Sequence, residues 1–182
     1  MGNIYATHVV TSTYGTWPPG HPKGHWSPLF DLYGNLIERG HKLNAPDQVT
    51  FHVARERALG PEKVLTPDEQ QIVADTIADV MRSLPDRIPI YAAAIERTHQ
   101  HLLFGHIPGS ISELVGRIKG RSSSAVIAHG REPGRTRTWV NGYWKVYVFD
   151  VTAIPDIQNY VEQHNVRRGL PRVRFPWVTP FV

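Results

Sequence analysis

Two histidines one residue apart, His99 and His101, lie in an apolar run at residues 99–106. A tyrosine and a histidine four residues apart, Tyr160 and His164, lie in a run with helical apolar spacing. Alternate residues of an extended strand share a face, so the two imidazoles project together and can share a divalent cation. On a helix, positions i and i+4 stack on one side, which sets the Tyr160 phenol one turn from the His164 imidazole. That pairing suits a nucleophile with a metal ligand beside it. The residues alone also admit a plainer account. Paired strand histidines serve as ordinary polar groups, and a helix carrying Ile157, Tyr160 and Val161 on one side can simply bury its tyrosine.

A third group is cationic. Arg117, Lys119 and Arg121 surround Gly116 and Gly120 and run into three serines at 122–124. Basic and hydroxyl side chains together can hold phosphates, although a solvated helix face carries the same residues. The loop at 130–142 adds Arg135 and Arg137. Charge divides along the chain: residues 1–116 hold nine Lys and Arg against twelve Asp and Glu, net −3, and residues 117–182 hold eleven against four, net +7. A basic C-terminal third fits a polyanionic partner. With no cysteine, disulfides, thiolate metal sites and a cysteine nucleophile are excluded, whereas ten histidines favour an imidazole-ligated metal. No apolar stretch approaches the ~20 residues of a bilayer span, and no secretory signal is visible, so a cytoplasmic protein without a membrane partner is expected, on the nucleoid when DNA-bound.

The elements that must position these groups follow from periodicity. Residues 4–13 read as a strand, rich in β-branched and aromatic types. Residues 14–48, dense in Gly, Pro, His and Trp, read as an irregular insertion, which with its flank extends to about residue 65. Trp17, His21, His25 and Trp26 of that insertion are expected to pack over the sheet edge. Thr66, Pro67 and Glu69 spell a helix start, and Val73, Ile77, Val80 and Leu84 give one apolar stripe before Pro85 ends it. Residues 88–95 and 99–106 form a predicted hairpin. Ser110 and Glu113 open a second helix, residues 143–149 a last strand, and Pro155 a third helix that Gly169 stops. The tail, 170–182, is expected to run extended along the surface. With the insertion removed, the order is β-α-β-β-α-β plus a final helix: an α+β, ferredoxin-like antiparallel sheet with helices on one face, in a single domain spanning 1–182.

Four segments carry a resemblance. Residues 94–104 (AIERTHQHLLF) resemble the His-hydrophobic-His strand of the single-tyrosine HUH transposases of small bacterial insertion sequences, the IS200-like family. Residues 112–124 (SELVGRIKGRSSS) are similar to its basic helix, residues 139–143 (WVNGY) to the entry of its last strand, and residues 160–170 (YVEQHNVRRGL) to its catalytic helix. The branch associated with repetitive extragenic palindromes resembles this chain most. His8-Val9-Val10 and residues 14–17 (YGTW) also look like the start of such proteins. Segment order separates the chain from mobilisation relaxases, whose tyrosine precedes the histidine pair. It also differs from rolling-circle initiators, which carry a lysine where His164 stands. Two positions depart from the family: Gln100 replaces the apolar middle residue, and His164 replaces the Gln or Asn that completes the metal site, a change toward softer cations.

The resemblance implies a function. Tyr160 would attack a scissile phosphate of hairpin-forming single-stranded DNA, with Mg²⁺ or Mn²⁺ held by His99, His101 and His164. The products would be a 5′-phosphotyrosyl link and a free 3′-hydroxyl, and rejoining would need no ATP. Arg117, Lys119, Arg121, Arg135 and Arg137 would contact DNA phosphates, and some members act as homodimers. Two rival functions make different demands. A non-catalytic nucleic-acid-binding module would stack bases on Tyr143, Trp144 and Tyr147. A metal-dependent phosphodiesterase would activate water and leave no protein–DNA adduct.

Overall fold

The computed structural model describes residues 3–16, 61–130, 134 and 137–182, together with the backbone of two short strands within the insertion. The other insertion residues, including Trp17, His21, His25 and Trp26, and also Arg135, lie outside the described residues. The strands are β1 (Ala6–Ser12), β2 (Leu29–Phe30), β3 (Leu36–Ile37), β4 (Ile90–Ile95), β5 (His99–Gly105) and β6 (Trp144–Val148). The helices are α1 (Pro67–Arg82), α2 (Ile111–Gly130) and α3 (Ile154–Val166). Strands β2 and β3 pair only with each other. The main sheet has the order β4-β5-β1-β6, with every neighbouring pair antiparallel. This is the split βαβ arrangement expected from the sequence: β1 and β4 run parallel on either side of β5.

The start signal of α1 forms as spelled. Glu69 N–H donates to Thr66 Oγ1 (3.2 Å) while Thr66 N–H donates to Glu69 Oε2 (2.9 Å). The other oxygen of Glu69 takes the buried ammonium of Lys63 at 2.6 Å. A buried pair of this kind offsets its desolvation only with full hydrogen bonding, which the capping box helps to supply. The same corner closes the insertion. Lys63 N–H donates to Tyr14 carbonyl oxygen and Thr13 Oγ1 donates to Lys63 carbonyl oxygen, so the chain leaves and rejoins the sheet at one point. Gly15 makes this approach feasible: its φ is +80°, and a Cβ there would lie 2.9 Å from Glu62 Cα.

The sheet has two unlike faces. Val9, Ile95, Leu102 and Phe104 point to the face covered by α1 and α2, where they meet Val73, Ile77, Leu114 and Ile118. Ala6, Ala92, Ala94, Leu103 and Val148 point to the opposite face, crossed by α3 through Ile154 and Val161. Strand β5 is covered on both sides, so six of its seven residues are buried. Thus two helices share one face, and the additional C-terminal helix takes the other.

The tail runs along the surface as expected, but it is anchored there: Phe175 is 3% exposed and packs with Val178 into the core beside α1. Thr179 N–H donates to Ile90 carbonyl oxygen, and Phe181 packs on Tyr91 at 5.2 Å on the other side of β4. The tail therefore wraps the outer edge of β4, an edge that would otherwise present unpaired backbone groups. Prolines stop it from forming a regular strand without stopping its apolar side chains from packing. No helix among the described residues is long and apolar enough to cross a membrane.

Candidate functional site

The site lies where α3 crosses β5. His99, His101 and Leu103 alternate onto the α3 face, and β1 adds His8, Val10 and Ser12, each opposite one of them in register. Helix α3 is anchored by Asn165, whose Nδ2 donates to the carbonyl oxygens of Ala93 (3.0 Å) and Arg172 (3.1 Å). One turn on, Arg168 donates to Ile95 carbonyl oxygen and Gln70 Oε1. With the helix fixed in this way, Tyr160 and His164 hang over the histidine pair.

The spacings are short. One ring nitrogen from each of His99, His101 and His164 lies within 4.8 Å of the others. The His101 and His164 rings stack at 4.1 Å, and His99 meets them at 5.0 and 5.7 Å. The Tyr160 ring centroid lies 5.2 Å from that of His164, 5.7 Å from His101 and 6.0 Å from His8, yet the residue is 49% exposed. Between α3 and the sheet opens a cleft of about 600 Å³ lined by these rings together with Val10, Trp144, Asp156 and Ile157. The tyrosine is therefore not the core residue that the plainer account of its helix allowed.

Two residues missed in the sequence complete the arrangement. Glu96 Oε1 accepts from His164 Nδ1 at 2.6 Å, and His8 Nε2 meets His101 Nδ1 at 3.1 Å. The hydrogen bond from His164 holds the Glu96 carboxyl below the usual carboxylate range, with neighbouring cations adding to the effect against burial. Burial, and then the nearby His164, push His8 down to about 4. Burial likewise drives His101 far below the ordinary histidine range. Both rings are therefore neutral near pH 7, as ligation requires. The resemblance of His8-Val9-Val10 marked the segment but gave His8 no role, and no local pattern marks Glu96. The His8–His101 contact spans 93 positions, and only the β1–β5 register creates it.

The donor set fits a divalent cation. His164 Nε2 is buried and has no hydrogen-bond partner, while its Nδ1 is held by a carboxylate. A carboxylate–imidazole pair with the far nitrogen left open is how proteins usually present histidine to a metal. His99, His101 and His164 are the residues that would hold it.

The cationic residues are placed elsewhere. Helix α2 lies behind the sheet, so Arg117 and Arg121, both exposed, are on the opposite face from the histidines. Lys119 turns inward: its ammonium donates to the carbonyl oxygens of Val140 (2.6 Å) and Gly142 (2.7 Å) and ties down the loop before β6. Arg137 is half-buried, over the Tyr14 ring at 5.8 Å. The aromatic platform of the binding-module reading is divided as well. Tyr143 and Tyr147 pack toward the α2 face, with Tyr143 Oη 2.8 Å from Ser112 Oγ, and Trp144 alone of the three enters the cleft.

Comparison with known proteins agrees with this geometry. A family model described as "Transposase IS200 like" matches residues 61–164, which include His99, His101, Tyr160 and His164. No curated protein matches the chain by sequence. Among solved structures, a REP-associated tyrosine transposase bound to a REP hairpin superimposes with a TM-score of 0.50 at 13% identity, covering 96% of this chain and 76% of that one. A protein of Deinococcus radiodurans R1, provisionally named a transposase, aligns at 16% identity and TM-score 0.39, covering 87% and 89%. The first likeness shows the shared fold, and the family match extends over more than half of the chain. This chain belongs to the IS200-like transposase family.

Proposed function

We propose that the protein nicks and rejoins single-stranded DNA through a covalent link to Tyr160. The observation that carries this reading is the half-exposed phenol at the rim of a cleft floored by three convergent imidazoles, one with an open, buried nitrogen. Tyr160 Oη forms a bond to phosphorus as the bond from phosphorus to the 3′ oxygen breaks. The phenol loses a proton and the departing 3′ oxygen gains one. The phosphodiester energy stays in the tyrosyl ester, so a second 3′-hydroxyl can reverse the step on another strand. A bound Mg²⁺ or Mn²⁺ supplies positive charge against the phosphate oxygens. His99, His101 and His164 would hold that cation, Glu96 orients His164, and Val10, Trp144 and Ile157 give the cleft a mostly apolar wall.

Hairpin-forming DNA is the proposed substrate, because the structurally similar REP-associated protein is bound to a hairpin. The phosphate to be cut sits at the cleft, and exposed Arg117 and Arg121, with Arg135 and Arg137, contact flanking DNA. Charge contacts of this kind make binding steeply salt-dependent.

A covalent-trapping assay tests the reading. End-labelled hairpin-bearing single-stranded DNA is incubated with protein and Mn²⁺ or Mg²⁺ and resolved under denaturing conditions. A metal-dependent protein–DNA adduct that disappears in Tyr160→Phe is the expected result. Cleavage without an adduct would replace it with the water-activating phosphodiesterase. Binding with neither adduct nor cleavage would replace it with a binding module.

A further inference from the structure

All three candidate ligands have the same ring nitrogen occupied. His99 Nδ1 lies 3.1 Å from Thr98 Oγ1, His101 Nδ1 lies 3.1 Å from His8 Nε2, and His164 Nδ1 lies 2.6 Å from Glu96 Oε1. Two of these partners are of familiar kinds, a hydroxyl and a carboxylate. The third is another imidazole, and it can act as either donor or acceptor. If His8 donated, the Nδ1 lone pair of His101 would be taken and its proton would sit on Nε2, leaving no lone pair for a cation. If His8 accepts, His101 keeps its proton on Nδ1 and its Nε2 lone pair joins those of His99 and His164.

The surroundings of His8 leave it little other freedom. It is 5% exposed, stands in register between Leu103 and Val146, stacks on His101 at 5.3 Å and 20°, and has the Trp144 ring edge-on at 5.3 Å. We propose that His8 is a positioning residue for the metal site: its Nε2 accepts the Nδ1 proton of His101 and so fixes His101 in the tautomer that presents Nε2 to the cation. This rests on the metal-site reading above and adds to it an outer partner supplied by the first strand. Outer hydrogen-bond partners of metal-bound histidines typically contribute 10- to 100-fold in affinity.

The test compares the wild type with His8→Gln and His8→Leu. Mn²⁺ affinity is read from loss of the free-ion electron paramagnetic resonance signal. The tautomer of His101 is read in metal-free protein from long-range ¹H–¹⁵N spectra of the histidine rings. The expected results are an Nδ1–H tautomer for His101 in the wild type, Mn²⁺ affinity about 10- to 100-fold lower in His8→Leu, and recovery to within a few-fold in His8→Gln, whose amide oxygen can accept the same proton. Equal Mn²⁺ affinity in wild type and His8→Leu would overturn the proposal. So would a His8→Gln protein that folds but binds as weakly as His8→Leu, since that would make His8 a matter of shape alone. Should His8→Leu fail to fold, the wild-type tautomer decides: Nε2–H on His101 overturns the proposal, and Nδ1–H together with Gln rescue supports it. Failure of the wild type to take up Mn²⁺ would instead remove the metal-site reading, while the tautomer spectrum still judged the role of His8.

Discussion

Among the described residues, the core on one side of the sheet holds nineteen buried apolar residues, those of α1, α2 and the tail included, whereas the core on the other side holds seven, α3's Ile154 and Val161 included and three of them alanines. On the second face the space that side chains would fill is taken by the cleft and its histidines. The same four strands supply both faces, and alternation along β1 and β5 sends one residue to the packed face and the next to the face that carries the cleft. At residues 99–105, Gln100, Leu102 and Phe104 go to the packed face and His99, His101 and Leu103 to the α3 face, where the two histidines line the cleft and Leu103 packs. Such a division allows the site to hold polar, incompletely paired groups, because the apolar area that stabilises the domain is concentrated behind the sheet.

If the division is real, substitutions on the two faces must fail in different ways. The largest effect is expected for Tyr160→Phe: adduct formation falls to background while unfolding free energy stays within about 0.5 kcal/mol, since the phenol is half-exposed and has no structural partner to lose. A denaturant melt run beside the trapping assay checks this, and a large loss of stability would mean that the tyrosine belongs to the core. Leu102→Ala should do the reverse. It removes a fully buried side chain from the packed face and should cost about 2–5 kcal/mol, with Mn²⁺ affinity preserved in the fraction that remains folded.

Acid probes the site face alone. His8 is depressed from 6.5 to about 4, and His101 is depressed in the same direction. Below pH 6.5 the unfolded chain binds protons that the folded one refuses. Stability of the metal-free protein should thus be full above pH 6.5 and fall as pH drops toward 4, by about 3 kcal/mol for His8 alone. Denaturant melts across that range should show a shallower slope in His8→Gln, and an unchanged slope would contradict the assignment. The smallest effect tests the packed face for a stray polar group. Gln100 is buried, and its Oε1 has no hydrogen-bond partner. Gln100→Leu should therefore stabilise by about 1 kcal/mol, a rise visible in the melting temperature, and leave metal affinity unchanged.

The sequence made the site legible only where its residues share an element. His99 with His101 and Tyr160 with His164 are each set by one period, and the structure brings the two pairs together. His8 and Glu96 have no such signal, because tertiary register and the crossing of α3 bring them in. The α2 arginines illustrate a related limit. Helical spacing identified the helix, but its side of the sheet follows from which strand residues are apolar: Leu102 and Phe104 draw α2 away from His101. The anchoring of the tail escaped notice for a similar reason. Its prolines and short length advertise a loop, while the burial of Phe175 and Val178 depends on the otherwise bare edge of β4.

The clasp between Tyr14 and Lys63 has a consequence for how this family member can diversify. The backbone departs and returns at the same point, so the ends of the intervening segment are held together whatever its length. Doubling its length would change the closure entropy by only about 0.6 kcal/mol. By closure entropy alone, then, this point of the fold tolerates large changes in the length of chain carried between Tyr14 and Lys63.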